Sequence, residues 1–243
     1  MALIDNGELK LELSPSIDER AIDHFAEKQI GNVKPEPDLE HLALSGALKT
    51  AREEAQALVN LHAAVLADAS QPRAAAVIQV AAAAQKTAER VAAKLVAANA
   101  KVDATISGIE KATFAPEGGS PLDLEIRAAL KAMTPADRTK TLGEAFEAND
   151  LSIIGSVLRA PGLLTGMPAA ELEALRHRFR EQHFPTEMKR LERLKKMRAA
   201  SDVAGNAFVR LVKQAADTTN ASGAIAARTK RESALAAHQQ AGA

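Results

Sequence analysis

The chain has no cysteine, no tryptophan and no tyrosine, and only six phenylalanines in 243 residues. Without cysteine there are no disulfides, no thiolate metal ligands and no thiol nucleophile, which excludes a disulfide-built secreted scaffold. Without Tyr or Trp there is little aromatic surface on which nucleic-acid bases would stack. Long apolar runs are missing as well. The most apolar window, Ala74 to Ala84, lies between Arg73 and Lys86 and is too short to span a bilayer. No basic-then-apolar signal peptide opens the sequence, so the expectation is a protein made in the cytoplasm and used there, or assembled there into a particle. P-loop and G-x-G-x-x-G patterns are absent, and Gly118-Gly119 sits in a break rather than after a strand. None of the six histidines stands in an H-x-x-x-H or E-x-x-H pair, so helical zinc and di-iron sites lack their ligands. Asp38-x-x-His41 comes nearest, at a place where Asp serves as a helix cap. Gly155-Ser156 lacks the strand–turn–helix setting of a nucleophile elbow. No catalytic residue, metal or cofactor is implied, and the expectation is a non-enzyme.

Net charge is also absent, but its zero total is uneven. Residues 1–40 carry ten acids against four bases, and residues 176–198 carry nine bases against three acids. An acidic N-terminal arm thus balances a basic helix.

What the sequence does hold is alanine and helical periodicity. Alanine has the best helix propensity and lets backbones approach closely, so thin seams between long helices are expected rather than a thick core. Over 38–112, Leu44, Leu48, Ala51, Ala55, Leu58, His62 and Val65 alternate steps of four and three. After the break "ADASQPR" a second seam follows: Val77, Ala81, Ala84, Ala88, Val91, Leu95, Ala98, Val102, Thr105 and Ile109. The short connection makes these two helices an antiparallel hairpin. His62, on the seam, reads as a polar register residue.

From 113 to 184 the texture changes. Ser120-Pro121-Leu122-Asp123 and Thr134-Pro135-Ala136-Asp137 are two copies of one helix-start signal. Short helices are predicted near 121–132, 135–148, 151–158 and 168–182, forming a small globular domain with its own core. Leu122, Ile126, Leu130, Leu142, Phe146, Ile153, Ile154, Leu158, Leu163, Leu164, Leu172, Leu175 and Phe179 are its candidates. Pro185 opens a further long helix to about Thr219, with Leu191, Leu194, Phe208, Leu211 and Ala215 on or near one face, and a last helix spans about 224–238. The C-terminal region, 185–243, is expected to pack back on the hairpin.

The arm, 1–37, differs from all of this. Glu8 to Leu13 alternates charged and apolar residues with strand spacing, and "DNG" at 5–7 is a tight-turn sequence. A two-stranded hairpin alone is marginal in water, so Leu9, Leu11 and Leu13 are candidates for pairing with another copy or another protein. A helix capped by Ser16 and Glu19 is predicted to follow, to about Ile30, before the linker "NVKPEPD".

The expected fold is therefore all-α: an elongated, alanine-rich, coiled-coil-like hairpin or bundle with an inserted small helical domain and a short N-terminal β arm. On the basic 186–198 helix, Lys189, Arg190, Arg193, Lys196 and Arg198 are candidates for binding phosphates or an acidic partner. The ordinary reading of the same residues is a solvated face with i,i+4 pairs such as Glu192–Lys196.

The segment "AMTPADRTKTLGEAFEANDLSIIGSVLRAPGLLTGMPAAELEALRHRF" (132–179) resembles a module of helical structural and virion proteins of tailed bacteriophages and prophages. The likeness lies in the order of its parts: the T-P-x-D start, the "EAND" break, the "VLRAPGLLTGM" turn and "ELEALRHRF". It implies a virion or assembly component, near the head–tail connection or among internal ejected proteins. Its partners would be copies of itself and other virion proteins, with DNA as a further candidate and no membrane span. A nucleic-acid-binding accessory protein is the alternative.

Overall fold

The computed structural model describes residues 11–26, 38–216 and 218–241. Every regular element among them is a helix, so the protein is all-α. Of the possible hairpin of residues 3–13, residues 3–10 lie outside the described residues, and Leu11 to Leu13 form no strand; the end of the predicted first helix and residues 32–37 of the linker also lie outside the described residues. In chain order the helices are α1 (Arg20–Asp23), α2 (Leu39–Ala67), α3 (Arg73–Ala112), α4 (Asp123–Ala132), α5 (Pro135–Glu147), α6 (Leu151–Leu158), α7 (Gly162–Thr165), α8 (Ala169–His183), α9 (Pro185–Ala216) and α10 (Thr218–Ala241). They fall into two compact units, Met1–Val102 with Lys196–Ala243, and Asp103–Lys195.

In the first unit α2 starts where the sequence places it. Asp38 caps it by accepting the His41 N–H at 3.1 Å. The Asp38 carboxylate is thus engaged as a cap, and the His41 imidazole points elsewhere, its Nε2 lying 3.3 Å from Asp23. Leu44, Leu48, Ala51, Ala55, Leu58 and Val65 are buried at the four–three spacing, and His62 is half-buried. Glu54 pairs with Arg90 at 2.6 Å and Thr50 accepts from Lys94 at 3.2 Å. One index rises as the other falls, so α2 and α3 run in opposite directions here.

On α3 the seam departs from expectation. Its buried positions are Ala76, Val80, Ala84, Thr87, Val91, Leu95, Ala98 and Val102, while Val77, Ala81 and Ala88 are only half-buried. The steps are four, four, three: an 11-residue repeat in place of the heptad. A straight α-helix drifts about 20° per heptad away from a 3.5-residue period, so a seam extrapolated by sevens slides off the buried stripe. From Met197 on, α9 buries Met197, Ser201, Ala204, Phe208, Leu211 and Ala215. Ser201 donates to Asn99 on α3 at 2.9 Å, and a Cβ at Gly205 would stand 3.8 Å from Leu95.

The predicted helix over 16–30 is a single turn, α1, in the part described. The Ser16 N–H goes back to Ser14 Oγ at 3.3 Å, and Asp18 takes the Arg20 N–H at 2.9 Å. These local side-chain turns compete with a capping box at Ser16. The Arg20 guanidinium, and next its N–H, hold the Asp18 carboxyl down to about 2. Ile17 and Ile22 are buried beneath this turn. Arg52 of α2 reaches Glu19 at 3.3 Å and Asp18 at 3.6 Å, and Ser45 donates to Asp23 at 3.1 Å. Three acids of the N-terminal arm are therefore directed to α2.

The second unit has the bulkier core. Leu130, Leu142, Ala145, Phe146, Ile154, Val157, Leu158, Met167, Leu172 and Phe179 are buried together, with Ile126, Ile153 and Leu175 packed against them. Leu122, Leu163 and Leu164 are exposed instead, Leu163 at 81%. Thr134 caps α5 as predicted, accepting the Asp137 N–H at 3.2 Å. The matching signal at Ser120 makes a turn first, and α4 begins only at Asp123, whose carboxylate is drawn to Arg159 and Arg127.

The "EAND" break is two helix ends fused. Asn149 takes φ 53°, a left-handed conformation that Asn tolerates. The Asp150 N–H returns to Ala145 O at 2.8 Å and the Asn149 N–H to Phe146 O at 3.3 Å, a Schellman closure of α5. The Asp150 carboxylate then caps α6 through the N–H groups of Ser152 and Ile153. In "APGLLTGM", Gly166 ends α7 at φ 69°, and a Cβ on Gly162 would meet Met167 O at 2.4 Å. Neither position accepts a side chain without strain.

Candidate functional site

The basic run of 176–198 sorts into two kinds of residue. Arg176 pairs with Glu173, stacks over Phe114 at 4.2 Å and donates to Leu158 O at 3.2 Å. Arg178 lies over the Phe146 ring at 4.7 Å, and Arg180 donates to Thr113 O at 3.3 Å. Lys195 pairs with Glu110 at 2.7 Å and Arg198 with Asp202. Apart from Arg198, whose partner is one turn away on the same helix, these bases join separate parts of the fold. Arg127 does the same at Ser156 O (2.8 Å), and so does Arg138 at Thr165 O (3.0 Å) and Gly166 O (2.7 Å). Carbonyls at the ends of helices lack intrahelical donors and carry the negative end of the helix dipole, so arginine forks satisfy both needs. Sequence reasoning missed this use, because the carbonyls lie 18 to 67 positions away along the chain.

Of the predicted phosphate-binding residues, Lys189, Arg190 and Lys196 are exposed, and Arg193 and Arg198 are half-buried. Lys189, Arg190 and Arg193 belong to the Asp103–Lys195 unit, and Lys196 and Arg198 to the other. Of the arm leucines, Leu9 lies outside the described residues. Leu11 is buried, at 7% exposure, and Leu13 is half-buried.

An open cleft of about 560 Å³ lies in the second unit, between the 116–120 loop, the start of α6 and the end of α8. Arg159 and His183 reach it. Arg159 is already engaged: its fork grips both oxygens of Asp123 at 3.0–3.1 Å, and its Nη1 donates to Pro116 O at 3.0 Å. Gly155 leaves room for that side chain, since a Cβ there would meet Arg159 Nη1 at 2.5 Å. His183 rests on the Phe179 ring at 4.6 Å, with Nε2 buried and making no hydrogen bond. Ser156 is fully buried, and its hydroxyl donates to Ile153 O at 2.7 Å. The guanidinium and carboxylate beside the cleft thus neutralise one another. A second, shallower groove of about 410 Å³ runs between α2 and α3 over Gly46, Ala47, Ala97 and Ala98, rimmed by Lys94 and Lys101.

The least buried element is α10. From Ile225 to Gln240 every residue is exposed, Ile225 at 49% and Leu235 at 52%. Arg228 and Glu232 form an i,i+4 pair at 2.7 Å between them. Nothing in the sequence marked this helix as uncovered, since its alanines resemble those of the buried seams.

No cluster of three or more potential metal ligands occurs among the described residues. Among them, too, no helix is long and apolar enough to cross a membrane. Comparison with protein families, with curated proteins and with solved structures finds no match to this chain.

Proposed function

We propose that this protein is a non-enzymatic structural or assembly subunit that oligomerises within a larger particle, a virion component of a tailed bacteriophage. The site in that particle would be near the head–tail connection or among the internal, ejected proteins. The observation that carries the reading is α10: 24 residues of helix with exposed side chains on every face from Ile225 to Gln240. Most helical stability in proteins comes from packing a face against something else. A helix left uncovered by its own chain is therefore best understood as completed by another. The pattern likeness of residues 132–179 supports the phage assignment. The finer architecture that goes with it is an elongated, coiled-coil-like hairpin over 38–112 and a β arm that pairs between chains.

Sedimentation equilibrium of the full chain over a wide concentration range tests this. Assemblies at multiples of the chain mass are expected, and removing residues 1–14 weakens them. A monomer at every concentration, with or without those residues, overturns the reading.

Exposure of Lys189, Arg190 and Lys196 favours the second reading, a nucleic-acid-binding accessory protein. Binding would be blind to sequence and fall steeply with salt, and replacing Lys189 and Arg190 by alanine would reduce the salt slope by about two. Absence of DNA binding at low salt removes this alternative.

A further inference from the structure

We infer that α10 is a self-pairing helix, which joins two copies of this chain in an antiparallel, two-fold symmetric contact. The inference rests on the oligomeric reading above and says which surface does the joining. Ile225, Arg228, Glu232 and Leu235 are spaced three, four, three, so they share one face of the helix. All four are exposed.

Their order is self-complementary. Position numbers that sum to 460 face each other when two copies cross antiparallel about residue 230. Ile225 then meets Leu235 of the second copy, and Arg228 meets Glu232. A two-fold axis repeats each contact, giving two apolar pairs outside and two ion pairs inside. Such an isologous patch, in which residue i meets j and j meets i, is the ordinary construction of a symmetric dimer. A parallel pairing would set Arg228 against Arg228 and Glu232 against Glu232, so the charges choose the direction as well as the partner. Ala224 and Ala236 flank the face and let the two backbones approach.

The absence of native cysteine makes the direction directly readable. Chains carrying Ile225→Cys alone, Leu235→Cys alone, and an equal mixture of the two are treated with a short thiol-to-thiol cross-linker. The mixture should give a covalent dimer and the single chains should not, because like positions lie about 15 Å apart along the axis in the antiparallel pair. Charge exchange in the otherwise unaltered full chain provides the second arm. Arg228→Glu alone and Glu232→Arg alone should each weaken dimerisation about tenfold, since two ion pairs are lost per dimer. The combined variant should restore it. These residues are exposed, so the changes leave the fold intact. Self-cross-linking of the Ile225→Cys chain, or assembly unmoved by either reversal, overturns the α10 contact while leaving oligomerisation itself standing. A chain that is monomeric throughout removes both.

Discussion

Asp123→Ala is expected to destabilise the 103–195 unit by about 3 kcal/mol, because it leaves two arginines facing a hole where their counter-ion stood. Asp123 is 8% exposed and receives Arg159 in a bidentate grip, Arg127 at 3.2 Å and the Ser120 N–H at 3.3 Å. The same arginines donate onward to Pro116 O and Ser156 O, so one carboxylate ties the 116–120 loop, α4 and α6. Arg127 and Arg159 keep 16% and 23% of their side chains exposed, and partial hydration limits the loss to the lower end of the range for buried pairs. Arg159→Met should cost less, since Asp123 retains Arg127. With no Trp or Tyr to report unfolding by fluorescence, hydrogen exchange of the α4 and α6 amides in the full chain is the suitable measurement. Unchanged exchange in Asp123→Ala would mean that the network is ornamental.

The same group sets a pH dependence. Burial pushes the Asp123 carboxyl up, but the Arg159 hydrogen bond, the Ser120 N–H and the two positive charges together hold it below its ordinary value of 3.8. A depressed carboxylate contributes stability that is full above the unfolded pKa and is lost as pH falls through the folded one. The wild-type unit should therefore lose stability on acidification below about pH 4 more steeply than Asp123→Ala, in which this contribution is already gone.

Local chemistry was the legible part of this sequence. Asp38 and Thr134 cap helices because a short acceptor precedes a run of good helix formers, and both signals are complete within four residues. The heptad of α2 was legible for the same reason. What failed depended on contacts from far along the chain. Ser120 carries the same start signal as Thr134, yet Asp123 answers to Arg159, 36 positions away. On α3 the heptad was extended over more turns than a straight helix allows. The basic run looked like a solvent face because charge alone does not reveal that Arg176 and Arg180 end on buried carbonyls. Leu163 and Leu164 read as core by type, but α7 is one turn long and the residue it turns inward is Thr165, which leaves both leucines exposed. The α10 face was illegible until burial set its alanines apart from those of the seams, and only then did Ile225, Arg228, Glu232 and Leu235 stand out.

The largest effect is expected at Phe146, where alanine should cost about 3–5 kcal/mol by removing a buried ring from a core too constrained to collapse around the gap. Phe146 is 2% exposed and lies among Leu142, Ile154, Leu158 and Phe179. Two features oppose relaxation. Its backbone is pinned, because Phe146 O takes the Asn149 N–H of the Schellman closure and the Gln182 side chain at 3.4 Å. Asn149 at φ 53° and the Asp150 cap fix the entry into α6 immediately afterwards. The exposed Arg178 guanidinium would in addition lose its π partner, a smaller cost because it remains in water. Phe146→Leu refills part of the space and should lose less. Urea unfolding followed by far-ultraviolet circular dichroism, with exchange of the α5, α6 and α8 amides, separates this unit from the other. The alanine variant should release those amides together, whereas an effect confined to α5 would show that the helices of 103–195 do not share one cooperative core.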